Sequence, residues 1–147
     1  MAYKKYKKYK KYQPKKFEST QNPSDTSANI YMSMLMSPNW MALTKNAQVL
    51  YVYCKAQYYA EKRKPELNPL NPRKLTEDEK SRCFTMNMSK WNDLYHIYNK
   101  NQNQFQKDMR QLIEYGFVEL IEDGSTTRTK SVYMLSDKWW NNTNQPI

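Results

Sequence analysis

The stretch 102–135 limits the possible folds more than any other part of the chain. Its first part, 102–115, carries apolar residues at spacings of three and four: Phe105, Met109, Leu112 and Ile113. This period predicts an amphipathic helix. Gly116 follows at the position where a left-handed residue commonly ends a helix, and Phe117 supplies the apolar contact expected after it.

A β-hairpin is predicted directly after this helix. Two β-rich runs, 117–122 and 131–135, flank the polar segment 123–130. Asp123 and Gly124 provide the turn chemistry that such a connection needs.

Two helices are predicted nearer the N-terminus, after the apolar run 30–36, which we expect to be a short strand or an extended lead-in. Ser37 and Pro38 form a helix-start signal. A second start lies at Thr44, because 45–63 contains neither Gly nor Pro and places these residues on one face: Ala47, Leu50, Tyr51, Cys54 and Tyr58. We interpret Trp40, between the two starts, as a core residue.

The segment after the second helix is less regular. Three prolines make 65–75 a loop. Thr76 and Glu79 have capping-box spacing, which indicates a single helical turn, and the alternation over 83–88 predicts a short strand.

Ser89 is expected to cap a further helix over 89–98. Its apolar residues share one face: Trp91, Leu94, Tyr95 and Tyr98. His96 falls on the opposite side, so we expect it to be exposed and to have no catalytic role. A short polar turn at 99–102 joins this helix to the next one.

The order of these elements predicts an α+β, mainly helical fold. Two helices joined by a short turn form a helix-turn-helix pattern, and the hairpin after the second helix makes it a winged helix. We therefore expect a winged-helix DNA-binding domain over 30–140, followed by a polar C-terminal end, 141–147.

The N-terminal segment 1–29 differs from the rest in charge. It holds eight Lys and two acidic residues, in a chain whose net charge is +10, and Tyr recurs at every third position of its start. Because a period of three fits neither helix nor strand, we expect a disordered tail. Lys can neutralise phosphates and Tyr can stack on bases, so these residues are expected to contact DNA: Lys4, Lys5, Lys7, Lys8, Lys10 and Lys11. A solubilising arm and a contact with an anionic membrane surface are the alternatives.

The composition disfavours several functions. Only two Gly are present, so the phosphate-binding glycine motifs are absent. Cys54 and Cys83 do not form a disulfide framework, and we expect reduced thiols in a cytoplasm. No zinc-ligand spacing and no catalytic set is visible, so we expect no metal, no cofactor and no enzyme activity. No apolar run has the length of a membrane span.

The outward face of the helix 102–115 is the candidate site. A recognition helix presents its N-terminal half to base edges, where Asn and Gln bond adenine and Arg or Lys bonds guanine or phosphate. We expect these residues to bind DNA: Gln102, Asn103, Gln106, Lys107 and Arg110. Three other polar residues also lie outside the apolar stripe: Gln104, Gln111 and Glu114. The alternative is that these amides only solvate the helix.

The hairpin supplies a second candidate contact. Arg128 and Lys130 lie near its tip and suit the minor groove or the phosphate backbone. The neighbouring carboxylates would repel phosphates: Glu119, Glu122 and Asp123.

Three segments carry a family resemblance: SPNWMALTKNAQVLYVYC at 37–54, FTMNMSKW at 84–91 and FQKDMRQLIEYGFVELIEDGSTTRTKSVYMLSDKW at 105–139. They resemble the winged-helix proteins of phages, plasmids and integrative conjugative elements, including the N-terminal domains of replication initiators. The resemblance implies that 102–115 is the recognition helix and 117–135 the wing. It also implies an accessory or regulatory role in replication, conjugative transfer or transcription.

The sequence therefore leads to one main hypothesis, sequence-specific binding of double-stranded DNA. The alternative is a protein–protein adaptor built on a winged-helix scaffold, since Tyr and Trp suit such interfaces. Whether the domain acts as a homodimer, and whether it meets replication or transfer machinery, stays open.

Overall fold

The computed structural model describes residues 27–60, 63–124 and 130–141. Its helices are α1 (Met32–Leu35), α2 (Pro38–Met41), α3 (Lys45–Ala60), α4 (Glu77–Ser81), a π-helix (Ser89–Leu94), α5 (Gln102–Glu114) and α6 (Lys138–Asn141). Its strands are β1 (Cys83–Phe84), β2 (Val118–Glu122) and β3 (Val132–Leu135). About half of the described residues are helical and the sheet is small and antiparallel, so the predicted α+β class is confirmed.

The ends of α3 are set by local contacts. Thr44 Oγ1 accepts a hydrogen bond from the backbone N–H of Ala47, which confirms the predicted start. At the other end the Lys64 ammonium donates to the carbonyl of Tyr58 and lies over its ring. The helix is described as far as Ala60, and Arg63, its predicted limit, is not helical.

The predicted limits of α5 are confirmed. Asn101 Oδ1 accepts from the N–H of Gln104 at the first turn. At the last turn the N–H of Phe117 bonds to the carbonyl of Leu112, and the N–H of Gly116 bonds to that of Ile113. This is the Schellman arrangement, and Gly116 adopts the positive φ of +88° that it requires.

Two strand predictions are corrected. The run 30–36 contains the helix α1, because the N–H groups of Met34 and Leu35 both bond to the carbonyl of Tyr31 and satisfy the backbone locally. The strand predicted over 83–88 covers only β1, because the chain then turns: the N–H groups of Lys90 and Trp91 bond to the carbonyl of Asn87.

The helix predicted over 89–98 is also different in the structure. It is a π-helix that ends at Leu94, in which the N–H of Tyr95 reaches the carbonyl of Lys90, five residues earlier. Ser89 does not cap it, because its hydroxyl bonds to Asn87 Oδ1 instead. His96 is exposed, as expected, and has a positive φ of 56°.

The sheet separates two apolar clusters. Strand order is β1-β3-β2, and the β2–β3 pairing confirms the predicted hairpin, with an irregularity between Leu120 and Glu122. The larger cluster joins the sheet to α3 and α5 and includes Trp40, the expected core residue. The rings of Trp40, Tyr51 and Phe117 meet edge to face, with centroids 5.3–5.7 Å apart.

The proline-rich loop 65–75 packs against the smaller cluster. Leu67 and Leu75 contact the buried residues of that cluster: Cys83, Ile121, Val132 and Met134. The Asn71 amide donates to the carbonyl of Ile121, which lies on the edge strand β2. The loop is therefore an ordered part of the fold that protects a sheet edge.

The last described helix, α6, returns to the end of α5. The N–H of Trp139 donates to the carbonyl of Gly116 over 2.9 Å, and the Trp139 ring stacks on that of Phe117. The Asn39 amide donates to the carbonyl of Trp139, so α2 also holds this segment.

The predicted tail lies mostly outside the described residues, which begin at residue 27. Residues 27–29 are half-buried and have no regular secondary structure. The predicted polar end lies outside them as well, apart from Asn141 at the end of α6. Within the described ranges, no helix combines the length and the apolar character needed to cross a bilayer.

Candidate nucleic-acid interface

The outward face of α5 brings the predicted contact residues together. All five side chains expected to bind DNA are exposed: Gln102, Asn103, Gln106, Lys107 and Arg110. At about 100° per residue, the last four of them fall on one arc of roughly 100°, directly opposite the buried stripe. Gln102 lies at the N-terminal edge of that arc. We call these five residues the α5 face.

A buried carboxylate lies behind the α5 face. Asp108 is fully buried, and it accepts hydrogen bonds from the Tyr98 hydroxyl over 2.6 Å and from the Gln104 amide over 2.9 Å. Burial, together with the bond to Asp108, raises the pKa of Tyr98 above its usual range. The contact ties the first two turns of α5 to the segment before it.

Sequence reasoning missed Asp108. One signal could have found it, because the residue lies three positions after Phe105 and four before Leu112, within the stripe of buried positions. A carboxylate at a core position of a helix needs donors, and Tyr98 is the nearest apolar-stripe residue that carries one.

Two other polar residues of α5 are engaged within the fold. The Gln104 amide donates to Asp108, behind the α5 face. Gln111 Oε1 accepts from the N–H of Thr44, and its amide donates to Thr44 Oγ1, so it joins the middle of α5 to the start of α3. Both side-chain amides already have hydrogen-bond partners within the fold, so they are less available to a ligand than the amides of the α5 face.

The turn before α5 is tight and positively charged. Asn99 and Lys100 both have positive φ values, 49° and 65°, and the N–H of Lys100 donates to Asn92 Oδ1. Lys100 is exposed beside the first turn of α5, where the positive end of the helix dipole also favours an anion. The turn therefore places a cation at the end of the helix where the amides of the α5 face cluster.

The charge of the α5 face has one sign. Lys107 and Arg110 supply positive charge, and the two acidic residues of α5 are Asp108, which is buried, and Glu114, which lies in the last turn. A polyanion could approach the N-terminal half of the helix without meeting an exposed carboxylate of α5.

Of the two hairpin residues expected to contact DNA, the structure describes one. Lys130 is exposed, whereas Arg128 lies outside the described residues. Glu119 is paired with Arg73 over 3.0 Å and with Lys138 over 3.6 Å. These two cations offset the charge that was expected to repel phosphates at this position.

Glu122 is also engaged. Its carboxylate accepts from the backbone N–H of Asn68 over 2.9 Å and from the Asn71 amide over 3.1 Å, both in the loop 65–75. Asp123 is exposed. The predicted repulsion is thus reduced at Glu119 and Glu122 by neighbours distant in sequence.

The described residues offer little for metal or thiol chemistry. Within them, no group of three or more His, Cys, Asp or Glu side chains is placed to hold a metal ion. Cys54 and Cys83 are buried and unpaired. Burial raises the pKa of the Cys54 thiol well above its usual range, which disfavours a reactive thiolate.

The tail lysines expected to contact DNA lie outside the described residues: Lys4, Lys5, Lys7, Lys8, Lys10 and Lys11. No protein family, curated protein or solved structure was found to match this chain.

Proposed function

We propose that this protein is a sequence-specific, double-stranded-DNA-binding protein whose folded part is a winged helix. One observation carries the proposal: the α5 face gathers amides and cations at the exposed N-terminal half of a helix. Gln104, Asp108 and Gln111, the other polar residues between its first and last turns, bond within the fold.

The chemistry of the α5 face fits base edges in the major groove. A groove about 12 Å wide admits a helix, and Asn or Gln can bond an adenine through two atoms. Arg110 can do the same with a guanine, and Lys107 can reach a phosphate or a guanine. Lys100, beside the positive end of the α5 dipole, would help to fix the helix on the phosphate backbone.

The order of elements supports the winged-helix assignment. A tight turn precedes α5, β2 and β3 form a hairpin after it, and β1 adds a third strand beside β3. In this arrangement α5 is the recognition helix and the hairpin is the wing, with Lys130 as a contact to the backbone or minor groove. The lysines of 1–29 would add affinity through phosphates.

The sequence resemblance supports a biological setting. Together with the α5 face, it favours an accessory or regulatory factor of a bacterial mobile element, acting in the cytoplasm during replication, conjugative transfer or transcription. Partners in that setting are duplex DNA and the replication or transfer machinery.

Retention of DNA fragments tests the proposal directly. The purified full chain is mixed with sheared genomic and mobile-element DNA near physiological salt, and retained fragments are sequenced. Recovery of one or a few discrete sites supports sequence-specific binding, and their location names the process. Retention without preferred sites, or no retention at low salt, contradicts it.

A variant lacking residues 1–26 is the matched control for the tail. Each phosphate that a lysine neutralises contributes about 0.9 to the salt slope, so removing the six tail lysines that we expect to bind DNA should flatten it by about 5. The retained sites should stay the same, because the α5 face is intact. Loss of site preference would mean that the tail, and not the α5 face, determines which DNA sites are bound.

A protein–protein adaptor is the second candidate. Exposed aromatic side chains favour it, among them Tyr31, Tyr59 and Trp140. A stable fold with no duplex binding at low salt would favour the adaptor over the DNA-binding protein.

A further inference from the structure

The outward face of α3 carries an apolar stripe that the fold leaves exposed. Val49, Val52, Ala56 and Tyr59 are spaced by three, four and three residues, so they lie along one side of the helix. Val49 is 49% exposed, Val52 is 41% exposed and Tyr59 is 52% exposed. We call these four residues the α3 stripe; their spacing is the one that pairs helices in coiled coils.

The apolar surface continues beyond α3. Tyr31, at the start of α1, is exposed and lines the same cleft as Tyr58 and Tyr59. Met32, the next residue, is also exposed. Exposed apolar surface that is contiguous over more than one element marks an interaction site more often than scattered single residues do.

The charges around the α3 stripe narrow the choice of partner. Lys45 precedes the stripe and Lys55 lies near its second half, and no charged residue occurs on α3 between them. Nucleic acid would need cations at the centre of such a surface, where Val49 and Val52 lie. A neutral apolar centre fits another apolar helix.

We propose that a second copy of this chain docks on the α3 stripe, with the two α3 helices antiparallel about a two-fold axis. In a two-fold interface the same surface must be complementary to itself. An antiparallel pair centred on Val52 brings the two Val52 side chains together. It also places Lys45 of one copy beside Tyr59 of the other, where an ammonium group can lie over a ring.

A stable dimer needs the exposed side chains of α1 as well as the α3 stripe. A helix of 16 residues is about 24 Å long, and a stable interface buries roughly 800 Å² on each partner. The exposed side chains of α1 enlarge the area that α3 alone can bury. The dimer uses the side of α3 turned away from the core and includes no residue of the α5 face. The proposal does not depend on DNA binding.

Sedimentation of the full chain, without DNA, tests the proposal. The wild-type chain should sediment as a dimer whose dissociation appears on dilution, and Val52→Glu should sediment as a monomer with unchanged circular dichroism. Leu70→Glu is the matched control, because Leu70 is 88% exposed in the loop 65–75, and it should remain dimeric. A monomeric wild-type chain at high concentration, or a dimer that survives Val52→Glu, overturns the proposal.

A cross-linking variant keeps the proposal testable if Val52→Glu fails to fold. Val52→Cys should form an intermolecular disulfide on mild oxidation, because a disulfide requires Cα atoms within about 7 Å and the axis passes beside this residue. Cys54 and Cys83 are buried and should not compete. Leu70→Cys should cross-link far more slowly, and equal rates for the two variants contradict the proposed axis.

Discussion

The helices α3 and α5 bury similar apolar stripes in one core but present opposite chemistry to solvent. The α5 face consists of amides and cations, whereas the α3 stripe is made of Val, Ala and Tyr. The inward residues of both helices are explained by packing. Their outward residues are not, because a helix that serves only the core needs neither a set of free amides nor an exposed apolar row.

The two helices also make a similar buried hydrogen bond. Each uses a buried polar side chain to hold a tyrosine of the segment that connects β1 to α5. On α3, the Gln57 amide donates to the Tyr95 hydroxyl over 2.7 Å. On α5, Asp108 accepts from the Tyr98 hydroxyl over 2.6 Å. The connecting segment is thus fixed from both sides, which sets the position of α5 relative to α3.

The largest expected effect comes from breaking the C-terminal end of α5. In Gly116→Ala the new Cβ would lie 2.6 Å from the backbone N of Trp139, at a φ of +88° that Ala rarely adopts. We expect the free energy of unfolding to fall by about 3 kcal/mol, measured by urea denaturation.

Gly116→Asn separates the two causes of that loss. Asn tolerates positive φ better than Ala but adds the same Cβ. An intermediate loss means that strain and the clash with α6 both contribute. A loss below about 0.5 kcal/mol in Gly116→Ala would contradict the close packing of α6 on α5.

The next effect in size concerns the buried pair behind the α5 face. Asp108→Ala leaves the Tyr98 hydroxyl buried without its acceptor, so we expect the free energy of unfolding to fall by about 2–3 kcal/mol in thermal or urea unfolding. Asp108→Asn keeps an acceptor and should lose about 1 kcal/mol. The corresponding change on α3, Gln57→Ala, should cost less than Asp108→Ala because Tyr95 is only half-buried. Equal losses for the two alanine variants would contradict this difference.

The elements that are determined by residues close together in sequence were predicted well. The limits of α5, the capping box of Thr76 and Glu79, and the hairpin each depend on residues close together in sequence. Short-range hydrogen bonds determine these features, so their patterns are visible in the chain.

The elements that depend on distant partners were predicted poorly. The π-helix replaces an expected α-helix in a segment where the Lys90 ammonium is drawn to Thr85 and to Gln57 on α3. The pairing of Glu119 and Glu122 with the loop 65–75 is likewise a contact across more than 40 residues. Patterns within a short window carry no information about such partners.

The candidate site was predicted in outline only. The exposure of the α5 face follows from the helical period, whereas Asp108 was missed, and the contacts of Gln104 and Gln111 within the fold were not foreseen. A one-dimensional pattern separates buried from exposed positions, but it does not show which exposed amides are engaged by a neighbouring helix.

A smaller effect, confined to binding, is expected at the α5 face. Arg110→Ala or Gln106→Ala should weaken binding to a retained site by about 1–3 kcal/mol while changing the free energy of unfolding by less than about 0.5 kcal/mol. Fluorescence anisotropy on a labelled site measures the first quantity, and thermal unfolding measures the second.

Lys74→Ala is the matched control for these binding variants. Lys74 is an exposed cation in the loop 65–75, away from the α5 face. Its removal should lower affinity less than that of Arg110 and equally for specific and non-specific DNA. If Arg110→Ala and Lys74→Ala behaved alike on the specific site, the α5 face would not be the reading surface.

The smallest expected effect tests the link between the two helices. Gln111→Ala removes both bonds to Thr44, which are largely exposed to solvent, so we expect a loss of about 0.5–1 kcal/mol in the free energy of unfolding. Gln111→Glu keeps an acceptor for the N–H of Thr44, and the Thr44 hydroxyl can donate to the new carboxylate, so it should lose less. Because Gln111 holds α3 to α5, its alanine variant should retain site preference with little change in affinity. A fall in specific binding as large as that of Arg110→Ala would instead make Gln111 a reading residue and widen the α5 face toward α3.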